Sequence, residues 1–259
     1  MLYIHENNLL NKINTNYKGH GRNIRDFYEK EYLPTKKKLL GIVFSESDKN
    51  AFITATKIIN EYYAKIEAFS AKYSITSQSK FASTFLEEIS TYLFKDIPEI
   101  ANGEFGVYNK KIYAGLKINT DKRIGLITKD VDFCIGKKVN ISIDGQPSTE
   151  LILPIVAVEA KTYLDATMFG EIKSSSKAIR SASPNSKTYV LMGYKCIADE
   201  HIVAARQDST LSEMFVLRKS EYSPIDSEAL YLYWQEIVEA IADIAKENTI
   251  SVPGKLLRV

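Results

Sequence analysis

Apolar residues recur along this chain at two different periods, and the changes between them mark out its elements. From Asp48 to Lys72, Phe52, Ile59, Tyr62, Tyr63, Ile66 and Phe69 return at three- and four-residue steps, the stripe of an amphipathic helix, with Ser47 placed to cap its start. A second helix begins near Ser77 or Ser79, runs through Phe81, Phe85, Ile89 and Leu93, and stops before Pro98, which has no N–H to continue the ladder. The texture changes at Gly103 and Gly106. Phe105 to Ile118 mixes Val, Tyr, Ile and Gly without a helical stripe and predicts a strand or an irregular hairpin. From Asp130 to Ile143 the period is two, with Val131, Phe133 and Ile135 on one side and Asp130, Asp132 and Cys134 on the other. Asp144, Gly145, Gln146 and Pro147 supply turn chemistry, and the apolar run Leu151 to Tyr163 predicts a return strand, so the two strands form a hairpin. Asp165 caps a helix reaching Arg180, and Pro184 and Asn185 break it. Lys187 to Tyr194 and Met214 to Leu217 are short strands, and a last helix buries Leu230, Tyr233, Trp234, Ile237, Ile241 and Ile244.

A chain of 259 residues with 45% hydrophobic composition buries the core of one large domain, or of one domain with a helical extension. No apolar run approaches the roughly 20 residues of a membrane span. Met1 to Leu10 lacks the basic start and apolar middle of a secretory signal, so the expectation is a soluble intracellular protein. Cys134 and Cys196 form no CxxC pair, and His5, His20 and His201 are scattered, which argues against a structural zinc site or a disulfide framework. A net charge of +2 decides nothing about nucleic acid, for which a local basic cleft suffices. The first forty residues interleave Lys18, Arg22, Arg25 and Lys36 to Lys38 with Tyr17, Phe27, Tyr28 and Tyr32. That mixture fits a nucleic-acid backbone and equally fits the solvated face of a helix.

Candidate chemistry gathers on the long apolar strand. Val156, Val158 and Ala160 share one face, so Glu159 and Lys161 share the other and point into the same space. An ionisable pair after the run Ile155 to Val158 is costly inside a sheet unless it meets water, a metal or another charge. Asp132, on the neighbouring strand, reaches that space if register allows. Asp130 has the same parity and competes with it, although Asp132 lies deeper in the alternating segment. Two carboxylates suit magnesium, and a lysine beside them can bind the attacked phosphate or help deprotonate the attacking water. The bland alternative is a strand-end salt bridge. A second acid-x-Lys spacing, Glu171 and Lys173, falls in the helix after Asp165, where it does not align the side chains. On the second helix Glu88 lies in the sector of Phe81, Phe85 and Tyr92, and Glu87 points away into solvent. Glu88 is therefore expected at the same cleft, or else hydrogen-bonded locally at the border of the apolar face.

The segments Lys129-Asp130-Val131-Asp132-Phe133-Cys134-Ile135-Gly136 and Pro154-Ile155-Val156-Ala157-Val158-Glu159-Ala160-Lys161-Thr162-Tyr163-Leu164-Asp165 resemble the catalytic core of the PD-(D/E)XK nuclease superfamily, most closely a type II restriction endonuclease. The helix from Ser79 to Glu88 and the late Phe215-Val216-Leu217-Arg218-Lys219 add a similarity to restriction enzymes that cut CTNAG-centred sites. No proline precedes Asp132; Val131 stands there. The resemblance spans Ser77 to Lys219 and divides the chain into an N-terminal helical, basic region (1–76), a nuclease core (77–219) and a C-terminal helix packed on that core (220–259). It implies an α/β fold, a mixed sheet flanked by helices with additional helices at both ends, and a cytoplasmic enzyme of a prokaryotic host. It implies Mg²⁺-dependent, sequence-specific hydrolysis of double-stranded DNA leaving a 5′-phosphate, by a homodimer. Asp132, Glu159 and the Ala160 carbonyl would be metal ligands, Lys161 the catalytic lysine and Glu88 a supporting acid. Lys173, Lys177 and Arg180 are candidate contacts to the DNA backbone, or simply an exposed basic face. The competing functions are a repair or recombination nuclease reading DNA shape and a non-catalytic DNA-binding module with a structural ion-pair network. A Schiff-base role for Lys161 requires a carbonyl substrate.

Overall fold

A computed structural model describes residues 2–143, 147–207 and 210–245. Its first part is helical: α1 (Ile4–Asn14), α2 (Gly21–Phe27), α3 (Leu33–Leu40), α4 (Lys49–Lys72), α5 (Phe81–Phe94) and the short α6 (Pro98–Ala101). Strands β1 (Gly106–Tyr108), β2 (Ile112–Ile118), β3 (Ile124–Lys129), β4 (Phe133–Ile141) and β5 (Thr149–Leu164) follow. The chain then alternates through α7 (Ala166–Ala182), β6 (Lys187–Lys195), α8 (Asp199–Gln207), β7 (Glu213–Val216) and α9 (Ser227–Ala245).

Most elements form where periodicity places them. Asp165 caps α7 by accepting the Met168 N–H at 2.8 Å. At α4 the cap is Asp48 rather than Ser47, because the Asp48 carboxylate receives the Asn50 and Ala51 N–H groups. Pro98 opens α6, where its missing N–H costs nothing. β3, the single turn α6 and α8 went unanticipated, α8 because its sequence is too polar to draw an apolar stripe. The expected turn at Asp144, Gly145 and Gln146 lies outside the described residues, as does the side chain of Ile244.

The strands form one mixed sheet, ordered β1-β4-β5-β2-β3, with β6 and then β7 continuing from the C-terminal part of β5. β4 and β5 pair antiparallel, and β5, β6 and β7 run parallel. The last β4 pair is Phe133 with Val158, yet β5 continues to Leu164 beside β6 alone. Beyond Val158, one edge of β5 is therefore left without a β4 partner. Gly136 and Gly193 allow the close approaches that set this geometry. A Cβ at Gly136 would lie 2.4 Å from the Leu153 carbonyl oxygen, at the register shift of β4, and one at Gly193 would lie 2.4 Å from that of Thr162.

Two layers cover the sheet. Phe133, Ile135, Val156, Val158, Tyr189 and Leu191 face α5 and α9, in a core that continues outward through α4 to α1, α2 and α3. Cys134 and Ala157 lie against Ile179 of α7, and Val190 and Met192 against its Phe169 and Ile172. The segments before Ser77 and after Lys219 thus share one core with the sheet. α5 is sandwiched, buried on almost every side, between the sheet and the N-terminal helices. Within the basic N-terminal segment, Phe27 and Tyr32 belong to that core and Lys36 pairs with Glu6 at 2.7 Å, so those residues are structural rather than a nucleic-acid surface. No helix among the described residues is long and apolar enough to cross a membrane.

Candidate active site

Asp132 occupies the bend just before β4, not the alternating strand itself. From there its Oδ2 accepts the backbone N–H of Ala160 at 2.8 Å, which turns the carboxylate across the unpaired edge of β5. Lys161 Nζ reaches the same Oδ2 at 2.8 Å and Glu159 Oε2 at 3.0 Å. All three side chains are half-buried, at 25%, 16% and 29% exposure for Asp132, Glu159 and Lys161, so water reaches them but does not fully screen them. The neighbouring acid behaves differently: Asp130 is exposed, and its Oδ1 accepts the Lys111 N–H at 3.1 Å in the turn between β1 and β2.

Opposed pressures act on this cluster. Burial, then the charge of Asp132, push the Glu159 carboxyl up to about 7, against the pull of Lys161. Burial alone would lower the Lys161 ammonium, but Asp132 and Glu159 outweigh it and hold it above the ordinary lysine value. Two carboxylates share one ammonium, and negative charge is left over. Among the described residues no group of three His, Cys, Asp or Glu side chains forms a closed metal cage. A pair of carboxylates open to solvent on one side is the donor set that magnesium takes from proteins, with waters and phosphate oxygens completing the shell.

The acid on α5 that feels the charges of this cluster is Glu87, not Glu88. Glu87 is half-buried, and burial followed by the charge of Asp132 push it up to about 7, with Lys161, Lys80 and Lys110 pulling it down. On the same side of α5, Phe94 packs 5.8 Å from Phe133, the residue after Asp132. Glu88 is fully buried and, about 100° further round the helix, meets the N-terminal helices. Its Oε1 accepts the Tyr32 and Tyr92 hydroxyls at 2.8 and 2.5 Å, and its Oε2 accepts the His5 and Glu6 N–H groups at 2.8 and 3.1 Å. His5 and Glu6 are in the first turn of α1, whose own N-cap, Tyr3, makes no side-chain cap. Glu88 therefore caps α1 from another helix. Burial raises its pKa, and the four donors and the helix dipole offset that by stabilising the charge. The expectation for Glu88 failed because its apolar sector packs on helices rather than on the sheet. The signal for Glu87 was present: Leu86, Ile89, Leu93 and Phe94 make α5 apolar nearly all round, which marks a helix between two layers with two inward faces.

Lys173, Lys177 and Arg180 lie on α7, Lys177 exposed and the other two half-buried, with Lys173 Nζ 5.9 Å from the Phe169 ring centroid. Beside the cluster a cavity of about 480 Å³ is bounded by Leu86 and Thr162, the chain neighbours of Glu87 and Lys161, and by Arg218, stacked 4.4 Å over the Tyr63 ring.

None of the curated proteins matches the chain by sequence. Among solved structures it is similar to native BbvCI, an A2B2 tetramer determined at low resolution, with a TM-score of 0.75 over 95% of this chain and 99% of that one. Sequence identity is 15%, so this likeness speaks for the fold, a mixed seven-stranded sheet flanked by helices. Residues 78–242, which include α5, the whole sheet and most of α9, match the family described as Bpu10I restriction endonuclease. That match covers well over half of the chain, and on it the protein belongs to the Bpu10I restriction endonuclease family.

Proposed function

We propose that this restriction endonuclease cuts double-stranded DNA by Mg²⁺-dependent hydrolysis at the cluster of Asp132, Glu159 and Lys161, leaving 5′-phosphates. The observation that carries the reading is the convergence of both carboxylates on Lys161 Nζ at the uncovered edge of β5. Asp132, Glu159 and the Ala160 carbonyl would hold magnesium, which supplies Lewis acidity and a more acidic water. Lys161, kept protonated by its two acids, binds a non-bridging oxygen of the attacked phosphate and orients it. Glu87 takes the supporting role expected of Glu88, accepting a proton or a water hydrogen bond at the open side of the cluster.

We read the acid-x-Lys arrangement as a PD-(D/E)XK site with Val131 in place of proline, and the sequence resemblance extends to CTNAG-centred recognition. One chain carries one cluster and cuts one strand, so a duplex cut needs two. A homodimer supplies the second on a symmetric site. The A2B2 make-up of the similar protein favours a competing arrangement in which the partner is a different chain. Incubation with supercoiled phage and plasmid DNA, with Mg²⁺ or EDTA, tests the chemistry, and discrete fragments distinguish sequence-specific cutting from smears. Normal cutting by Asp132→Asn or Glu159→Gln would refute the site. Light scattering, together with nicked against linear product, separates the homodimer from the mixed assembly.

A further inference from the structure

We propose that the exposed Lys18, Lys80 and Lys110, backed by the buried Lys12, form a cationic track that holds the phosphate backbone of a DNA strand as it passes the catalytic cluster. The proposal rests on the nuclease reading and adds to it that the N-terminal helices are part of the DNA-binding surface.

The four lysines are linked through shared neighbours. Lys12 and Lys18 converge on one ring, with their Nζ atoms 4.1 and 5.5 Å from the Tyr17 centroid. Lys12 Nζ also lies 6.0 Å from the ring of Phe81, the residue after Lys80. Lys80 is fixed at the start of α5, where its carbonyl accepts the Thr84 N–H at 3.0 Å and the Thr84 hydroxyl at 2.6 Å. Lys110 sits in the turn between β1 and β2, and its N–H donates to the Val131 carbonyl at 3.0 Å, one residue from Asp132. Lys80 and Lys110 both act on Glu87, the acid that also feels Asp132 and Lys161.

None of the four makes an ion pair among the described residues, whereas Lys36, Lys49 and Lys65 each have an acid. After burial, the charges of Lys18 and Lys80 are what depress the Lys12 ammonium. Moreover, Lys18, Lys80 and Lys110 have φ of 48°, 60° and 62°, the left-handed region that Asn or Gly occupies at less cost. Mutual repulsion and backbone strain both oppose folding, and no ion pair among the described residues repays them. A run of phosphates would.

The test is the salt dependence of binding to a short fluorescein-labelled duplex of arbitrary sequence, in EDTA so that nothing is cut. Asn suits the left-handed positions and Met keeps the stem of Lys12, so the variant is Lys12→Met, Lys18→Asn, Lys80→Asn and Lys110→Asn combined. The slope of log affinity against log salt should become shallower by about 0.9 for each phosphate that is no longer neutralised, about 2 to 4 in all. Lys110→Asn alone, on an exposed turn, should make the slope shallower by about 0.9, the share of one phosphate, even if the combined variant folds poorly. Lys122→Asn, left-handed at the turn between β2 and β3, is the control and should leave the slope unchanged. An unchanged slope in the combined variant, a wild type without salt-dependent affinity, or an equal change in Lys122→Asn overturns the proposal. Failure to cleave with Mg²⁺ while the slopes behave as expected would instead sink the nuclease reading and leave the track.

Discussion

Glu87 and Glu88 are adjacent in sequence and opposite in environment. Glu88 is buried completely, yet each carboxylate oxygen has two donors, and two of those four are the otherwise uncapped N–H groups of α1. Glu87 is less buried, but its neighbourhood is dominated by charges rather than fixed dipoles. The same contrast separates their regions. The network around Glu88 satisfies a carboxylate with neutral groups and holds the N-terminal helices to α5. The cluster at the edge of β5 crowds carboxylates around a single ammonium and leaves them open to water. A satisfied buried charge stabilises structure, whereas an unsatisfied, half-dry one is available for chemistry.

Four experiments bear on that contrast. The largest expected effect is on catalysis: Asp132→Asn should reduce Mg²⁺-dependent cleavage by about a thousandfold, with thermal stability unchanged. A large fall in Tm would mean that this cluster, too, is structural. Glu88→Gln should do the reverse. It sets an amide N–H₂ against groups that donate, costing about 3 kcal/mol and lowering Tm by about 6–12 °C, while the folded fraction cuts DNA at the normal rate. Normal stability in that variant would remove the distinction.

The third effect depends on pH. His5, beside Glu88 in the same network, has its ring nitrogens 2.9 Å from Thr84 Oγ1 and 2.8 Å from Tyr62 OH, and burial depresses its pKa from 6.5 to about 3. Between those values the unfolded chain binds a proton that the folded one refuses. The stability that neutral His5 contributes is thus fully present above pH 6.5 and is lost as pH falls toward about 3. His5→Gln should flatten that decline by up to about 1.4 kcal/mol per pH unit, read from urea unfolding across the window. Parallel curves for the two proteins would contradict it. The smallest effect is that of Glu87→Gln, a drop in cleavage of about tenfold with Tm unchanged or raised, since burial disfavours the Glu87 charge. A destabilised Glu87→Gln with full activity would exchange the roles of the two glutamates.

Much of this architecture follows from local pattern. The stripe from Phe52 to Phe69, the alternation on either side of Phe133, the apolar run before Glu159 and the Asp165 cap each act over a few residues, so sequence alone determines α4, β4, β5 and the start of α7. Parity also determines that Glu159 and Lys161 share a face, because successive side chains of any strand alternate. Three matters were decided only in three dimensions. Asp132 and Asp130 have the same parity, and what separates them is that the chain bends before β4, sending one carboxylate to Ala160 and Lys161 and the other to Lys111. Helical geometry ranked Glu88 above Glu87 as the inward acid, correctly as to burial, but periodicity does not say which layer a buried face meets. Here the residues before Ser77 cover that face with their own aromatic core. The uncovered edge of β5, finally, exists because β4 ends at its pairing with Val158 while β6 carries β5 onward. Local periodicity reports a residue's orientation within its own element, and only the packing of elements against one another decides which charges come together.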